Sequence, residues 1–339
     1  MMKKILEVKN LSTSFFTHMG EVKAVRGNSF SMDKGDILGI VGESGSGKSV
    51  TALSIMGLID HPGRITGGEI IFDGEVISNK PDAVMANIRG KEISMIFQDP
   101  MTSLNPVFTI ENLMIEVIRR HQKVSKSEAR AIAIEKLDMV GIPEPESRIR
   151  SYPHEFSGGM RQRAMIATAL SCNPKLLIAD EPTTALDVTI QAQILDILIK
   201  LSKEIETSII IITHDLGVIA ETCHNLVVMY GGMIMEKGSV DEIFHSPQHP
   251  YTQGLMNSIP KMHSKSKGRL IPIPGSPPDL MNPPIGCPFS PRCPNAMAIC
   301  KQEKAPVYRI NETHTSACWL LHEDAPMVEG YKKGCEIDG

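Results

Sequence analysis

Before Cys287 the 339-residue chain holds only two cysteines, Cys172 and Cys223, so the body of the protein does not depend on that residue. Long apolar runs are missing as well. The densest, SIIIIT at Ser208–Thr213, has the length of a strand and falls far short of the roughly 20 residues a membrane helix needs. The amino end, MMKKILEVKNL, meets Glu7 and Lys9 before any apolar run, so it does not read as a signal peptide. Positive charge is not in excess. Its 35 Lys and Arg against 39 Asp and Glu give a net charge of −4, which offers no general affinity for nucleic acid or anionic lipid. No internal repeat is visible. What remains is an ordinary globular composition, 42% apolar and 22% charged, expected in the cytoplasm. The length suits two domains, or one large domain with an extension.

Periodicity gives the outline. KILEVKNLSTSF alternates like a strand, and Asp36–Ile59 reads as buried strand, glycine turn and apolar helix. Gly67–Ile77 is two β-rich runs around Asp73-Gly74, a hairpin signal. From Asn112 to about Val140 the pattern is helical, with a capping Ser in SKSEARAIAIEKLDMV. Lys175–Asp180 (KLLIAD) and Ser208–Thr213 are short buried strands. Between them Ile190, Ile194, Ile197, Leu198 and Leu201 form one helical stripe that packs on a sheet. Asn225–Gly238 looks like a closing antiparallel hairpin. Strands alternating with helices imply an α/β fold with a mostly parallel sheet covered on both faces. After Pro250 the texture changes, and IPIPGSPPDLMNPP reads as linker and irregular tail.

Gly42-Glu43-Ser44-Gly45-Ser46-Gly47-Lys48-Ser49 fits G-x-x-x-x-G-K-[ST] between a strand and a helix, the context that marks a phosphate loop. Glycines let successive N–H groups point inward around a phosphate, and the helix N-terminus adds positive potential. Lys48 supplies a point charge to the β- and γ-phosphates, and the Ser49 hydroxyl is a Mg²⁺ ligand. LLIADEP ends a buried strand in Asp180 and Glu181, two carboxylates that need a cation or reacting water nearby. Asp180 is placed to hold Mg²⁺, directly or through water. Glu181 is the candidate general base.

FSGGMRQR at Phe156–Arg163, with Gln98 in IFQDP, Asp187 in TTALD and His214 in IIITHD, completes five motifs in one order. Across about residues 4–250 the chain resembles the ATP-binding-cassette family. The resemblance implies a P-loop ATPase with a RecA-like, mostly parallel core, an antiparallel β subdomain and a helical signature subdomain. Residues 1–255 would be the nucleotide-binding domain, with the helical subdomain at about 99–165. Gln98 resembles the glutamine that reaches Mg²⁺ and the attacking water. Ser157, Gly158 and Gly159 resemble the signature segment that caps the γ-phosphate bound on an opposite subunit. Asp187 resembles the residue connecting the two sites across the dimer, and His214 the switch histidine that holds γ-phosphate, Glu181 and water. An aromatic ring stacks on adenine in the family, a place that Phe15 fills here with Phe16 beside it. Val50 stands where many members carry Thr, so one hydroxyl near the α-phosphate is lost and the backbone amide kept.

Lys48 and Ser157 are too close along the chain for the long coiled coil of the DNA-repair members, and there is one cassette rather than a tandem pair. Without a membrane span, the resemblance implies a separate subunit on the cytoplasmic face of the membrane, docked on permease partners. A soluble non-transport ATPase is the rival. FQDPMTSLNPVFTI, YPHEFSGGMRQR, HPYTQGLMNSIP and the tail pattern PGSPPDL…GCPFSPRCP…C…H…AC are similar to the ATPase subunits of dipeptide, oligopeptide and nickel importers. In that group a second, distinct cassette (a heterodimer) is favoured, a solute-binding protein acts on the far side, and a coupling helix enters after Gln98. A peptide is the expected cargo, nickel or another small solute the alternative.

Residues 256–339 would then be an extension carrying Cys287-x5-Cys293-x6-Cys300-x17-Cys318. Such a proline-rich segment needs a staple. A reducing compartment disfavours disulfides. Structural Zn²⁺ on four thiolates is reasonable, but the short C-x2-C knuckles are absent. A [4Fe–4S] cluster is broader and suits the wider gaps, so Cys287, Cys293, Cys300 and Cys318 are expected to ligate one. Cys172 and Cys223 read as core residues, and Cys335 lies near a frayed end.

Overall fold

The structure, a computed structural model, describes residues 3–99, 103–184, 187–258 and 272–337. Its strands, in chain order, are β1 (Lys4–Thr17), β2 (Gly20–Asp33), β3 (Ile37–Val41), β4 (Gly63–Phe72), β5 (Glu75–Val76), β6 (Ile93–Ile96), β7 (Leu176–Asp180), β8 (Ser208–Thr213), β9 (Asn225–Tyr230), β10 (Met233–Ser239), β11 (Val307–Arg309), β12 (Thr315–Ser316) and β13 (Cys335–Ile337). A four-stranded antiparallel sheet runs β2-β1-β4-β5, and a nine-stranded sheet runs β13-β11-β12-β10-β9-β3-β8-β7-β6. In the larger sheet β6, β7, β8, β3 and β9 are parallel, and the strands from β10 outward pair antiparallel.

Strands β3, β7 and β8 are buried along their whole length, which is why each reads as an unbroken apolar run. Alternation sorts their side chains into two cores. Ile37, Leu177, Ile209, Ile211 and Leu226 face a layer of helices, Ile110–His121, Lys126–Met139, Gly158–Ala169 and Val188–Glu204. Leu38, Ile40, Ile178, Ile210 and Val227 face the helix Lys48–Met56 and the antiparallel sheet. Burying both faces of a five-strand parallel array fixes its register, with Leu38 opposite Ile210 and Asn225.

The expected strands, the hairpin at Asp73-Gly74 and the β9–β10 hairpin all form. The helical stretch before Val140 divides in two at Gln122–Ser125. Ser125 caps the second helix in a capping box with Glu128, and Thr109 caps the first. In the Val188–Glu204 helix Ile194, Leu198 and Leu201 are buried, with Ile190 and Ile197 packed beside them.

The expectation of an irregular tail needs correction. Residues 272–284 form neither helix nor strand, as the prolines dictate, but Pro250–Asn257 is a helix. Pro250 stands at its first residue, where no N–H is required. Downstream, β12 pairs with β10, so the extension continues the central sheet instead of hanging from it. A buried carboxylate fastens the join. Glu236 on β10 accepts from His314 Nε2 at 2.7 Å and from the backbone N–H groups of Gln248 and His249 at 2.5 and 2.9 Å. Cys335 belongs to β13, Cys223 is buried and Cys172 half-buried. No helix among the described residues is long and apolar enough to cross a membrane.

Candidate functional site

The phosphate loop joins β3 to the helix that starts at Lys48. Gly47 has φ 96°, and a Cβ there would run into the Ala24 carbonyl oxygen. Only glycine lets the loop pass so close beneath β2. The Lys48 ammonium is folded back into the loop, donating to the carbonyls of Gly42 (2.8 Å) and Glu43 (3.0 Å) and to Ser46 Oγ (3.4 Å). Burial pushes its pKa down, against the pull of Glu181, Asp180 and Glu43. Ser49 Oγ donates to Asp180 Oδ1 at 3.2 Å, so the two expected magnesium ligands are already adjacent. Burial raises the Asp180 pKa, opposed by that hydrogen bond. A lysine and a carboxylate are thus held desolvated side by side, with the lysine satisfied by main-chain oxygens.

Glu181 follows β7 with φ 47°, an uncommon conformation for a residue with a Cβ. Its N–H bonds Ile212 O on β8 at 2.8 Å, which anchors the turn. Its Oε2 accepts from Gln98 Nε2 (2.8 Å) and Thr184 Oγ1 (2.9 Å), and His214 Nδ1 lies 3.5 Å from Oε1. Gln98 comes from the end of β6 and His214 from the end of β8, so three neighbouring parallel strands deliver the group at their carboxyl ends. Thr184 carries no special signal in the sequence. Asp180, Glu181, Gln98, His214 and the loop therefore converge.

Other expected residues stand apart from this cluster. Ser157 caps the helix Gly158–Ala169, its Oγ accepting from Met160 N at 3.3 Å; Ser157 and Gly158 are exposed, and Gly159 packs beside Ile190. Asp187 is exposed and caps the Val188–Glu204 helix through Ile190 N. Part of the segment after Gln98 (residues 100–102) and of the TTALD loop (185–186) lies outside the described residues. Phe15 is half-buried against Gly63, whereas Phe16 is exposed with the Arg64 guanidinium 4.3 Å from its ring centroid. Val50 is half-buried against the core shared with the antiparallel sheet.

Sequence reasoning missed the second neighbour of the loop. The Glu43 N–H donates to Tyr251 Oη at 2.9 Å, and the Glu43 carboxylate pairs with Arg292 at 2.7 Å. Both partners come from beyond Pro250, where nothing in the sequence links them to Gly42–Ser49.

The four clustered cysteines do converge. Cys287, Cys293, Cys300 and Cys318 line one small cavity together with His249. All are free thiols. Burial pushes Cys287 up to about 12, Cys293 up to about 11 and Cys318 higher still. The expected metal-binding extension is not borne out as a preformed centre, however. Among the described residues no three His, Cys, Asp or Glu side chains are grouped as around a metal ion. The physical reason is that burial favours the neutral thiol over the thiolate that ligates a metal.

Residues 25–184 match the family model described as ABC transporter, and residues 235–300 that of the Oligopeptide/dipeptide transporter, C-terminal region. The chain is 56% identical over 327 residues to the oligopeptide transport ATP-binding protein OppD of Bacillus subtilis, covering 96% of this chain and 91% of that one. It belongs to the ABC transporter ATPases. A second relative of this ABC ATPase is the dipeptide transport ATP-binding protein DppD of the same organism, 50% identical with 96% and 97% covered. Another is OppD of Salmonella typhimurium, 50% identical with 94% and 95% covered. Among solved structures, the ADP- and Pi-bound dimer of the ATP-binding cassette MJ0796 superposes with TM-score 0.63 at 27% identity, over 69% of this chain and 98% of that one. The shared part is an ABC ATPase fold that binds and hydrolyses ATP with Mg²⁺.

Proposed function

We propose that this ABC ATPase is the nucleotide-binding subunit that powers import of di- or oligopeptides through a membrane permease. The observation that carries the reading is the grip on Glu181 by Gln98, Thr184 and His214 at the mouth of the phosphate loop, in a chain whose relatives are named for oligopeptide and dipeptide transport. Those names favour peptide over nickel or another small solute, and a transport role over a soluble ATPase.

Gly42 through Val50 would cradle the phosphates, with Phe15 under the adenine. Ser49, Asp180 and Gln98 would hold Mg²⁺, relieving the desolvated Asp180 carboxylate. Glu181 would take the proton of the attacking water, and His214 would hold the γ-phosphate. Ser157, Gly158 and Asp187 are exposed on their own chain and Gly159 is half-buried beside them, which suits closure over ATP on a second cassette, a distinct chain by preference. Phe97, next to Gln98 in the chain, and Val107 and Phe108 further along are exposed apolar side chains, fitting contacts for the permease's coupling helix on the cytoplasmic face. The solute-binding protein acts from the other side.

The test is Glu181→Gln in the assembled transporter. The amide keeps the shape but accepts no proton, so MgATP binds, the cassettes stay closed, and turnover falls by ~10²–10⁴. Native turnover would remove Glu181 as the base. Recovery of this chain without integral membrane subunits from cells making the whole operon product would remove the transport reading.

We further propose that Cys287, Cys293, Cys300 and Cys318 hold a [4Fe–4S] cluster, with structural Zn²⁺ as the alternative. The donor set fits: four thiols from one extension line one cavity. His249 lines it too, with Nδ1 accepting from Tyr251 N at 3.1 Å and a buried Nε2 that has no partner. The cluster would supply the cross-link that so small a proline-rich segment needs. Protein purified without oxygen should be brown and lose the colour on Cys293→Ser. Colourless protein with one zinc per chain would replace the cluster and keep the ligands.

A further inference from the structure

Glu43 is the second residue of the phosphate loop, and both of its handles are held from the carboxyl-terminal side of the chain. Tyr251 Oη takes its N–H at 2.9 Å, and Arg292 Nη1 takes its carboxylate at 2.7 Å. Arg292 is no loose surface cation. Its side chain is 7% exposed. Nε donates to Pro274 O at 2.8 Å, Nη2 to Ile273 O at 3.0 Å, and Nη1 also to Tyr230 Oη at 3.0 Å. The guanidinium lies 5.6 Å from the Tyr230 ring centroid and 6.0 Å from that of Phe289, and these rings pack with Tyr251. The fork is therefore aimed before Glu43 meets it.

What the fork holds is part of a glycine-rich loop. Gly42, Gly45 and Gly47 all have positive φ, and a loop so rich in glycine loses much freedom when it closes on a phosphate. Lys48 rests on the Gly42 and Glu43 carbonyls, so the orientation of those two peptides also sets where the ammonium waits. Fixing Glu43 in advance lowers the ordering cost of binding.

We propose that Arg292 is a positioning residue for ATP: through Glu43 it braces the phosphate loop in its binding shape, so that the extension contributes to nucleotide affinity. Arg292 touches no reacting atom. Its effect passes through Glu43 alone.

The competing role is plain glue between extension and core, and the two differ in what they move. MgATP affinity of the full-length chain is measured with a fluorescent ATP analogue, and stability by urea unfolding, for Arg292→Gln, Arg292→Lys, Glu43→Gln and the double variant Glu43→Gln/Arg292→Gln. Expected is a loss of affinity of roughly tenfold in Arg292→Gln, the scale of one charge-assisted bond. Glu43→Gln should lose a similar factor, and the double variant no more than either single one. Arg292→Lys should recover part of the loss, having the charge without the fork. Unchanged affinity in Glu43→Gln and Arg292→Gln, with only the urea midpoint lowered, would overturn the proposal. So would losses that multiply in the double variant. Should Arg292→Gln fail to fold, Glu43→Gln decides alone, since it leaves the other Arg292 contacts in place.

Discussion

Replacing Glu236 with alanine should cost this protein a large share of its stability. The carboxylate is wholly buried and accepts from three donors: His314 Nε2 at 2.7 Å, Gln248 N at 2.5 Å and His249 N at 2.9 Å. His314 is itself 2% exposed, so water cannot take over the missing bond without opening the join between β10 and β12. Breaking a buried pair of this kind costs about 3–5 kcal/mol, mostly through the groups left unpaired. Each orphaned N–H alone costs about 1–3 kcal/mol, so the pair figure stands as the total and not as one contribution among several. Urea unfolding of the full chain followed by tryptophan fluorescence reads it directly, because Trp319 lies in the extension. The curve should shift to lower urea by that amount. His314→Gln, which leaves both backbone bonds to Glu236 intact, should lose clearly less than Glu236→Ala. A loss below about 1 kcal/mol in Glu236→Ala would refute the reasoning, as would equal losses in the two variants.

Two further outcomes follow from local geometry. Gly47→Ala should lose nucleotide binding and about 1–3 kcal/mol of stability, since alanine resists the positive φ and its methyl meets the Ala24 carbonyl; calorimetric titration with MgATP and a thermal melt check it. His249 is buried and its pKa is pushed down to about 3. An unfolded histidine takes up a proton near pH 6.5, while the folded one stays neutral. Below that pH the unfolded state binds one more proton, so stability falls on acidification from about 6.5 toward 3, by about 1.4 kcal/mol per pH unit from this residue. His249→Gln should flatten the urea-versus-pH profile by one proton, and an unchanged slope would show that His249 is not held neutral.

The apolar runs at Ile37–Val41, Leu176–Asp180 and Ser208–Thr213 determined the parallel core from the sequence, because a strand buried on both faces reads as an apolar run with polar residues only at its ends. The phosphate loop, Asp180 and Glu181 were legible from residue type and spacing, and Gln98 and His214 from the family resemblance; the fold brings all of them together. The four thiols could be grouped by composition, and the fold does bring them around one cavity. Other features could be decided only by tertiary structure. Three short strands far along the chain complete a sheet begun near residue 37, through pairings that local periodicity cannot encode. Glu236 and His314 look like surface residues in the sequence and become a buried pair because β10 receives β12. Arg292 reads as one more charge in a proline-rich tail. It reaches Glu43 because tertiary packing sets Phe289 and Arg292 against Tyr230 and Tyr251, whose hydroxyls lie beside the phosphate loop.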